Sequence, residues 1–123
     1  MSGAIHLDRH GEHVALIRID RPEARNALTP RMLCALADAF LAVRDDAEVR
    51  AVVLTGTGDV AFCAGGDLGL TLPLMTGARA PQDEFDRRLL DDPRTLEASS
   101  LRGFDIVKPT ICAINGTCMA AGF

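Results

Sequence analysis

The sequence predicts an α/β fold from the order of its segments. Residues 4–8 and 14–19 are rich in branched apolar side chains and are joined by a short turn, which predicts a β-hairpin. An amphipathic helix follows, and the next strand-like run covers residues 48–55. A strand, a helix and a strand in this order indicate two parallel strands linked by a helical crossover.

Local signals mark both ends of this helix. Thr29 supplies a hydroxyl N-cap, and Pro30 suits the first helical position. Asp45 and Asp46 stand where the helix should stop, because carboxylates at a helix C-terminus oppose its dipole. Between these ends, apolar side chains recur at helical spacing and predict one buried stripe, formed by Met32, Leu36, Ala39, Phe40 and Val43.

The second half of the chain is predicted to be more solvated. Residues 76–81 read as a loop, and residues 81–90 read as a charged helix. An amphipathic pattern follows at 96–107, then a short buried strand at 111–114. A helix of small residues is predicted to begin at 119–123, directly before the sequence ends. No repeat or linker divides the chain, which predicts a single domain.

Composition narrows the class of protein. The 123 residues are 48% hydrophobic and 24% charged, as in ordinary soluble globular domains. A formal net charge of −4 gives no field that would favour nucleic acid or an anionic membrane as a partner. No apolar run approaches the ~20 residues of a membrane-spanning helix, and no signal peptide is recognisable. Four cysteines without a CxxC pair indicate reduced thiols and a cytoplasmic location.

The candidate site is predicted within residues 52–68. A buried strand and a turn lead there to the sequence Gly65-Gly66-Asp67. A pair of glycines lets the main chain come close to a ligand, since no Cβ stands in the way. The aspartate is a good N-cap, so a helix is predicted to open at Asp67 with free amides pointing outward. Such amides can hold a negative oxygen.

The run Phe62-Cys63-Ala64-Gly65-Gly66-Asp67-Leu68 resembles the oxyanion-hole signature of the crotonase superfamily, also called the enoyl-CoA hydratase/isomerase family. Two further segments agree in order and spacing, RPEARNAL at 21–28 and KPTICAING at 108–116. The resemblance implies a crotonase-like spiral of β-β-α units, with residues 1–123 as the N-terminal part of one domain. It also implies that the spiral is truncated here, before its C-terminal helical part.

The same resemblance implies an acyl-CoA thioester as the ligand. The backbone amides of Gly66 and Ala121 would converge on the thioester oxygen and stabilise an enolate. Residues implied to line the coenzyme A moiety are Arg25, Asn26, Ala27, Leu28, Ala64, Gly65, Gly66, Asp67 and Leu68. Many relatives carry glycine where this chain has Ala120 and Ala121, and a basic residue where it has Gly69. Coenzyme A belongs to the substrate, so no separate cofactor is expected.

The resemblance places the acid and base carboxylates of the family beyond Phe123, so the chain is expected to carry only the electrophilic half of a site and to show little turnover alone. The full-length parent is expected to be an enoyl-CoA hydratase that adds water to a 2-enoyl-CoA. An isomerase, another crotonase reaction, and a noncatalytic truncated fragment are the alternatives. Relatives usually assemble as trimers or paired trimers, which implies a homotrimeric or hexameric parent.

Three other interpretations of the residues are weaker. The sequence GTGDVA at 56–61 formally matches a dinucleotide-binding fingerprint, which requires a helix to begin within it. Cys63 would be a reactive thiol only with a base beside it. The histidines His6, His10 and His13 straddle the predicted hairpin and fit no zinc pattern, so no metal site is predicted.

Overall fold

Both strands and helices occur in residues 3–122, the part of the chain that this computed structural model describes, with only the main chain of Ala121 included. The strands are β1 (Ala4–His10), β2 (Val14–Asp20), β3 (Ala51–Gly56), β4 (Ala61–Cys63), β5 (Thr110–Ala113) and β6 (Thr117–Cys118). The helices are α1 (Pro30–Asp45), α2 (Thr71–Thr76), α3 (Glu84–Asp91) and α4 (Pro93–Ser100), and short 3-10 turns cover Pro22–Ala24 and Ala120–Gly122.

The strands form two sheets. The larger has the order β1-β2-β3-β5, in which β1 and β2 are an antiparallel hairpin and both other pairs are parallel. The predicted hairpin and the predicted helical crossover are therefore confirmed. The smaller sheet pairs β4 with β6 in parallel, with Ala61 opposite Thr117 and Cys63 opposite Cys118. Because parallel strands end on the same side, the residues that follow β4 and β6 leave from one edge.

Helix α1 forms as its sequence predicts. The hydroxyl of Thr29 accepts a hydrogen bond from the amide of Met32 at 3.2 Å, which caps the first turn. The predicted apolar stripe is buried along its whole length. Its C-terminal half packs on β2 and β3 in a core cluster formed by Ala15, Ile17, Leu36, Ala39, Phe40, Val43, Val49, Val52 and Ile106.

A second core cluster lies under the start of α1. Met32 and Leu33 pack there against Phe62 and Cys63 of β4, and Leu74 and Leu89 close it from α2 and α3. This cluster supports the segment that leads from β4 into the glycine pair. Within residues 3–122, no helix combines the length and apolarity that crossing a membrane requires.

Several boundaries differ from the prediction because tertiary contacts decide them. Helix α2 begins at Thr71 and not at Asp67 as predicted, because the buried side chains of Thr71 and Leu74 anchor it there. The amphipathic pattern at 96–107 continues past the helix, since Leu101 adopts a left-handed conformation (φ 56°) and ends α4. Strand β5 was predicted to be buried, but its residues are mostly exposed because it pairs only with β3 among the described strands.

Lys108 joins the end of α1 to the segment before β5. Its ammonium group donates to the carbonyl of Val43 at 2.5 Å and to that of Asp46 at 2.6 Å, which satisfies oxygens left open at the helix C-terminus.

We expect Lys108→Met to lower the free energy of unfolding by about 2 kcal/mol, because charge-assisted hydrogen bonds are lost. Urea denaturation measures this, with the exposed Arg50→Met as control. Equal midpoints for the two variants would contradict the assignment.

Candidate functional site

Two loops that are distant in sequence meet at the predicted site. The amide of Ala64 donates to the carbonyl of Arg25 at 3.0 Å, and the amide of Leu28 donates to that of Gly65 at 2.8 Å. The amide of Asp67 donates back to the carbonyl of Leu28 at 2.9 Å. The structure therefore brings together the predicted segments at 25–28 and 64–67, paired as a short parallel bridge.

The bridge determines which way the amide of Gly66 points. Leu28 and Gly66 are the bridge partners, and the hydrogen bonds between them use the groups of Leu28, Gly65 and Asp67. Successive amides of an extended chain point to opposite sides, so the Gly66 N–H faces away from Leu28. Among residues 3–122 it donates to no protein acceptor. The site thus contains one main-chain donor that is available to a ligand.

Left-handed residues allow the two loops to approach. Arg25 and Asn26 both have positive φ, 53° and 58°, and Gly65 has φ 106°. Only glycine adopts the last of these conformations without strain. The Gly65 amide also lies 3.4 Å from the sulfur of Cys63, in a tight local turn. The glycine pair therefore turns the chain at Gly65 and presents the amide at Gly66.

Asp67 caps a turn, and the helix predicted to open there is wrong in position. Helix α2 begins four residues later, at Thr71, and the carboxylate of Asp67 instead accepts the amides of Gly69 at 2.8 Å and Leu70 at 2.7 Å. The other carboxylate oxygen accepts from the guanidinium of Arg21 at 2.6 Å. Burial alone would raise the pKa of Asp67, but these hydrogen bonds outweigh it and lower the pKa. Asp67 is therefore better suited to remain a fixed anion than to transfer protons.

The second predicted segment lies against the first. The amide of Met119 donates to the carbonyl of Cys63 at 3.1 Å, and the thiol of Cys118 donates to the carbonyl of Gly122 at 3.0 Å. A Cβ on Gly122 would collide with the main chain of Cys63, so this approach requires glycine.

The helix predicted from residue 119 is a 3-10 turn at Ala120–Gly122 over the described residues, and Phe123 lies outside them. Ala120 takes the left-handed conformation (φ 49°), which disfavours any side chain beyond hydrogen. Glycine would adopt this conformation freely.

The two predicted donors occupy equivalent places in the small sheet. Gly66 comes three residues after Cys63, and Ala121 comes three residues after Cys118. Cys63 and Cys118 are register partners in parallel strands, so both segments emerge side by side. Convergence of the two amides on one oxygen stays a prediction.

An apolar cavity of about 150 Å³ lies beside these segments, lined in part by Leu28, Phe62, Cys63 and Gly122. Cys63 is fully buried, and burial raises the pKa of its thiol, so its surroundings differ from those of a nucleophilic cysteine.

The dinucleotide interpretation of 56–61 is wrong, because those residues lead into strand β4 and no helix begins there.

The remaining predicted contacts lie at the surface of this site. Arg25 is exposed, Leu68 has 78% of its surface accessible, and Ala27 is half-buried with its carbonyl accepting from Arg21 at 3.2 Å. Among residues 3–122 no group of three or more His, Cys, Asp or Glu is arranged to hold a metal ion. His6 pairs with Asp20 at 2.8 Å.

Arg21 and Asn115 were not assigned a role at the site from the sequence, and Asn26 was placed only in the loop expected to line coenzyme A. Arg21 pairs with Asp67, and both asparagines of the chain, Asn26 and Asn115, donate to the carbonyl of Ala61 at the start of β4. One signal in the sequence was available for the asparagines. An asparagine within a motif needs hydrogen-bond partners once the motif is buried. Asn26 is 1% exposed.

The α/β architecture with two main-chain segments at one sheet edge places the chain in the crotonase fold class. A carnitinyl-CoA hydratase from Mycobacterium avium has the same fold, with a TM-score of 0.74 and 37% identity over 96% of this chain and 41% of that one. An enoyl-CoA hydratase/carnithine racemase from Magnetospirillum magneticum matches with a TM-score of 0.74 and 28% identity, over 96% of this chain and 41% of that one.

The chain belongs to the enoyl-CoA hydratase/isomerase family, whose family model matches residues 9–123. A carnitinyl-CoA dehydratase from Salmonella enteritidis is 36% identical over 123 residues, which are 100% of this chain and 42% of the relative. The chain therefore spans about two fifths of the length of the relatives it matches.

The Arg21–Asp67 pair makes a pH-dependent contribution to stability. The two side chains are only 12% and 14% exposed. We expect Asp67→Asn to cost about 2 kcal/mol at pH 7, because a partly buried guanidinium loses its counter-charge while the turn keeps an oxygen acceptor. Since the folded-state pKa is lowered, the cost should be complete above about pH 5 and should shrink as the pH falls below about 4.

Thermal or urea unfolding between pH 3 and pH 7 measures this difference. The exposed Asp59→Asn removes a carboxylate from the turn before β4 and is the matched control. A difference between wild type and Asp67→Asn that does not vary with pH would show that the ion pair makes no such contribution.

Proposed function

We propose that this chain is the acyl-CoA-binding half of an enoyl-CoA hydratase/isomerase-type enzyme. In this proposal the amides of Gly66 and Ala121 donate hydrogen bonds to the carbonyl oxygen of the thioester. Removing electron density from that oxygen makes the α-carbon acidic and the β-carbon of an enoyl thioester electrophilic. Main-chain donors do this without a charged residue, so the site needs no metal or separate cofactor.

The observation that carries the proposal is the free amide of Gly66. Its neighbours at 65 and 67 are bonded to the loop at 25–28, which holds the Gly66 N–H in a fixed direction before any ligand arrives. A donor fixed in advance stabilises developing charge without reorganisation. The segment that carries Ala121 lies against the same strand through the hydrogen bond from Met119 to Cys63.

The surroundings of this donor fit a thioester of coenzyme A. The cavity beside it is mainly apolar and suits an acyl group. Exposed Arg25, on the loop bonded to Ala64, is available for a phosphate of the coenzyme, while the main chain of Ala27, Ala64 and Leu68 would lie along its adenine and pantetheine. Gly69 supplies no side chain for a further phosphate contact.

Hydration is the reaction we propose for the full-length parent. Two similar proteins are named as a carnitinyl-CoA dehydratase and a carnitinyl-CoA hydratase, and these names describe one reaction in its two directions. An enolate stabilised at the thioester oxygen serves this reaction, with carboxylates outside this chain moving the protons. Isomerisation uses the same enolate and is the second candidate. A homotrimeric or hexameric parent is part of the proposal.

Removing the Gly66 amide tests the oxygen contact directly. Gly66→Pro lacks the N–H, whereas Gly66→Ala keeps it and adds a methyl group 3.5 Å from Thr71, an ordinary contact distance. For the full-length protein we expect Gly66→Pro to lower kcat by about 10²–10³-fold and Gly66→Ala to lower it far less. Calorimetry should show that Gly66→Pro weakens binding of an acyl-CoA more than binding of its thioether analogue, which lacks the carbonyl.

Folding is checked by the melting temperature of each variant. Undiminished turnover in folded Gly66→Pro would eliminate the oxyanion role of this amide. Failure of the folded wild-type protein to bind any acyl-CoA would eliminate the ligand class as well, and would favour the noncatalytic alternative.

A further inference from the structure

The only two asparagines of the sequence, Asn26 and Asn115, converge on the main chain of residues 56–61, which ends at the start of β4. They lie in different motifs, and 88 residues separate them. Each carboxamide accepts one main-chain amide and donates to two main-chain carbonyls. The two residues therefore make hydrogen bonds of the same kinds and share the carbonyl of Ala61 as an acceptor.

Asn26 approaches from the loop before α1. Its side-chain oxygen accepts the amide of Arg21 at 2.8 Å, and its nitrogen donates to the carbonyls of Thr57 at 3.1 Å and Ala61 at 2.9 Å. The residue is 1% exposed and has φ 58°. Both hydrogens and the oxygen of this buried amide are bonded, so it is fully satisfied.

Asn115 approaches from the turn between β5 and β6. Its oxygen accepts the amide of Gly56 at 3.1 Å, and its nitrogen donates to the carbonyls of Gly58 at 2.8 Å and Ala61 at 3.1 Å. Gly56 lies between the two carboxamides, since a Cβ there would be 2.7 Å from the nitrogen of Asn26 and 3.1 Å from the oxygen of Asn115.

The shared acceptor lies at the origin of both candidate donor segments. Ala61 begins β4, and the chain continues from the end of this strand at Cys63 to Gly66. The residue before it, Val60, accepts the amide of Thr117 at 3.1 Å, and Thr117 begins β6, which runs on to the turn containing Ala121. Fixing the main chain at 60–61 therefore fixes the starting points of the two segments relative to each other.

We propose that Asn26 and Asn115 are positioning residues that set the spacing of the Gly66 and Ala121 amides around the thioester oxygen. The inference rests on the proposed function, because it concerns the geometry of that same oxygen site. Neither carboxamide is assigned a contact with the ligand. An error of about 1 Å in the position of a reacting group can cost 10²-fold in rate, so small shifts at Ala61 are sufficient.

The chemistry of the carboxamide explains why asparagine is needed at both positions. An aspartate keeps the size and the acceptor but cannot donate to the carbonyls when it is ionised. The carbonyl of Ala61 would then face a carboxylate, and the loop would have to move away. Asn115→Asp is the more informative change, because Asn115 is half-buried and the variant can expose the charge to water.

The test measures polarisation of the thioester in the natural full-length protein. The probe is butyryl-CoA with a ¹³C label at the carbonyl, and its thioether analogue measures binding of the coenzyme alone. In the wild type we expect a lowered carbonyl stretching frequency on binding and a preference for the thioester over the thioether. In Asn115→Asp and Asn26→Asp we expect the frequency shift to fall and the preference to drop about tenfold, with binding of the thioether little changed.

The control variant is Asp92→Ala, which removes the cap bond to the amide of Arg94 at the start of α4, away from this loop. It should lower the melting temperature without changing the frequency shift. If Asn26→Asp does not fold, Asn115→Asp decides the question.

Folded Asn115→Asp with the wild-type frequency shift and the wild-type preference would overturn the positioning role. A wild-type protein that binds butyryl-CoA with no frequency shift and no preference would instead overturn the proposed oxygen site, and this inference with it. Loss of shift and preference in Asn115→Asp, with both retained in Asp92→Ala, supports the inference.

Discussion

The parallel bridge between Leu28 and Gly66 is the constraint on which the candidate site depends. Three main-chain hydrogen bonds join residues 25–28 to residues 64–67, and they engage one side of the second segment. The opposite side keeps the Gly66 amide free and rigidly directed. A loop without this bridge could turn the same amide toward its own carbonyls. Availability of the donor is thus a property of the pairing, and the glycine alone would not confer it.

The three motifs of the sequence are joined by hydrogen bonds around this bridge. Arg21 holds Asp67, which caps the turn after the glycine pair. Asn26 and Asn115 hold the chain before β4, and Gly116 permits close contact there because a Cβ would collide with Val60 and Ala61. These hydrogen bonds link the loops at 21–28, 56–61, 64–67 and 115 to one another. A rigid frame of this kind reduces the reorganisation that binding of an anionic oxygen would require.

Features governed by local chemistry could be predicted from the sequence. The hairpin and helix α1 follow from alternation, from the Thr29–Pro30 cap and from a regular apolar stripe. Features governed by distant contacts could not. Helix α2 depends on burial of Leu74, exposure of β5 depends on which strands flank it, and Asp67 caps a turn because Leu28 fixes the preceding residues. The glycine pair was recognisable as a motif, but the direction of the Gly66 amide required knowledge of its partner.

The basic residues of this chain are distributed in an unusual way. Twelve of the 13 are arginines, and the single lysine, Lys108, closes the end of α1 by donating to two carbonyls. An ammonium group held as a donor has no lone pair with which to attack an electrophile, and guanidinium groups are poor nucleophiles. A chain proposed to hold activated acyl groups therefore presents no freely solvated lysine side chain to them. Its basic side chains are accordingly poor targets for accidental acylation.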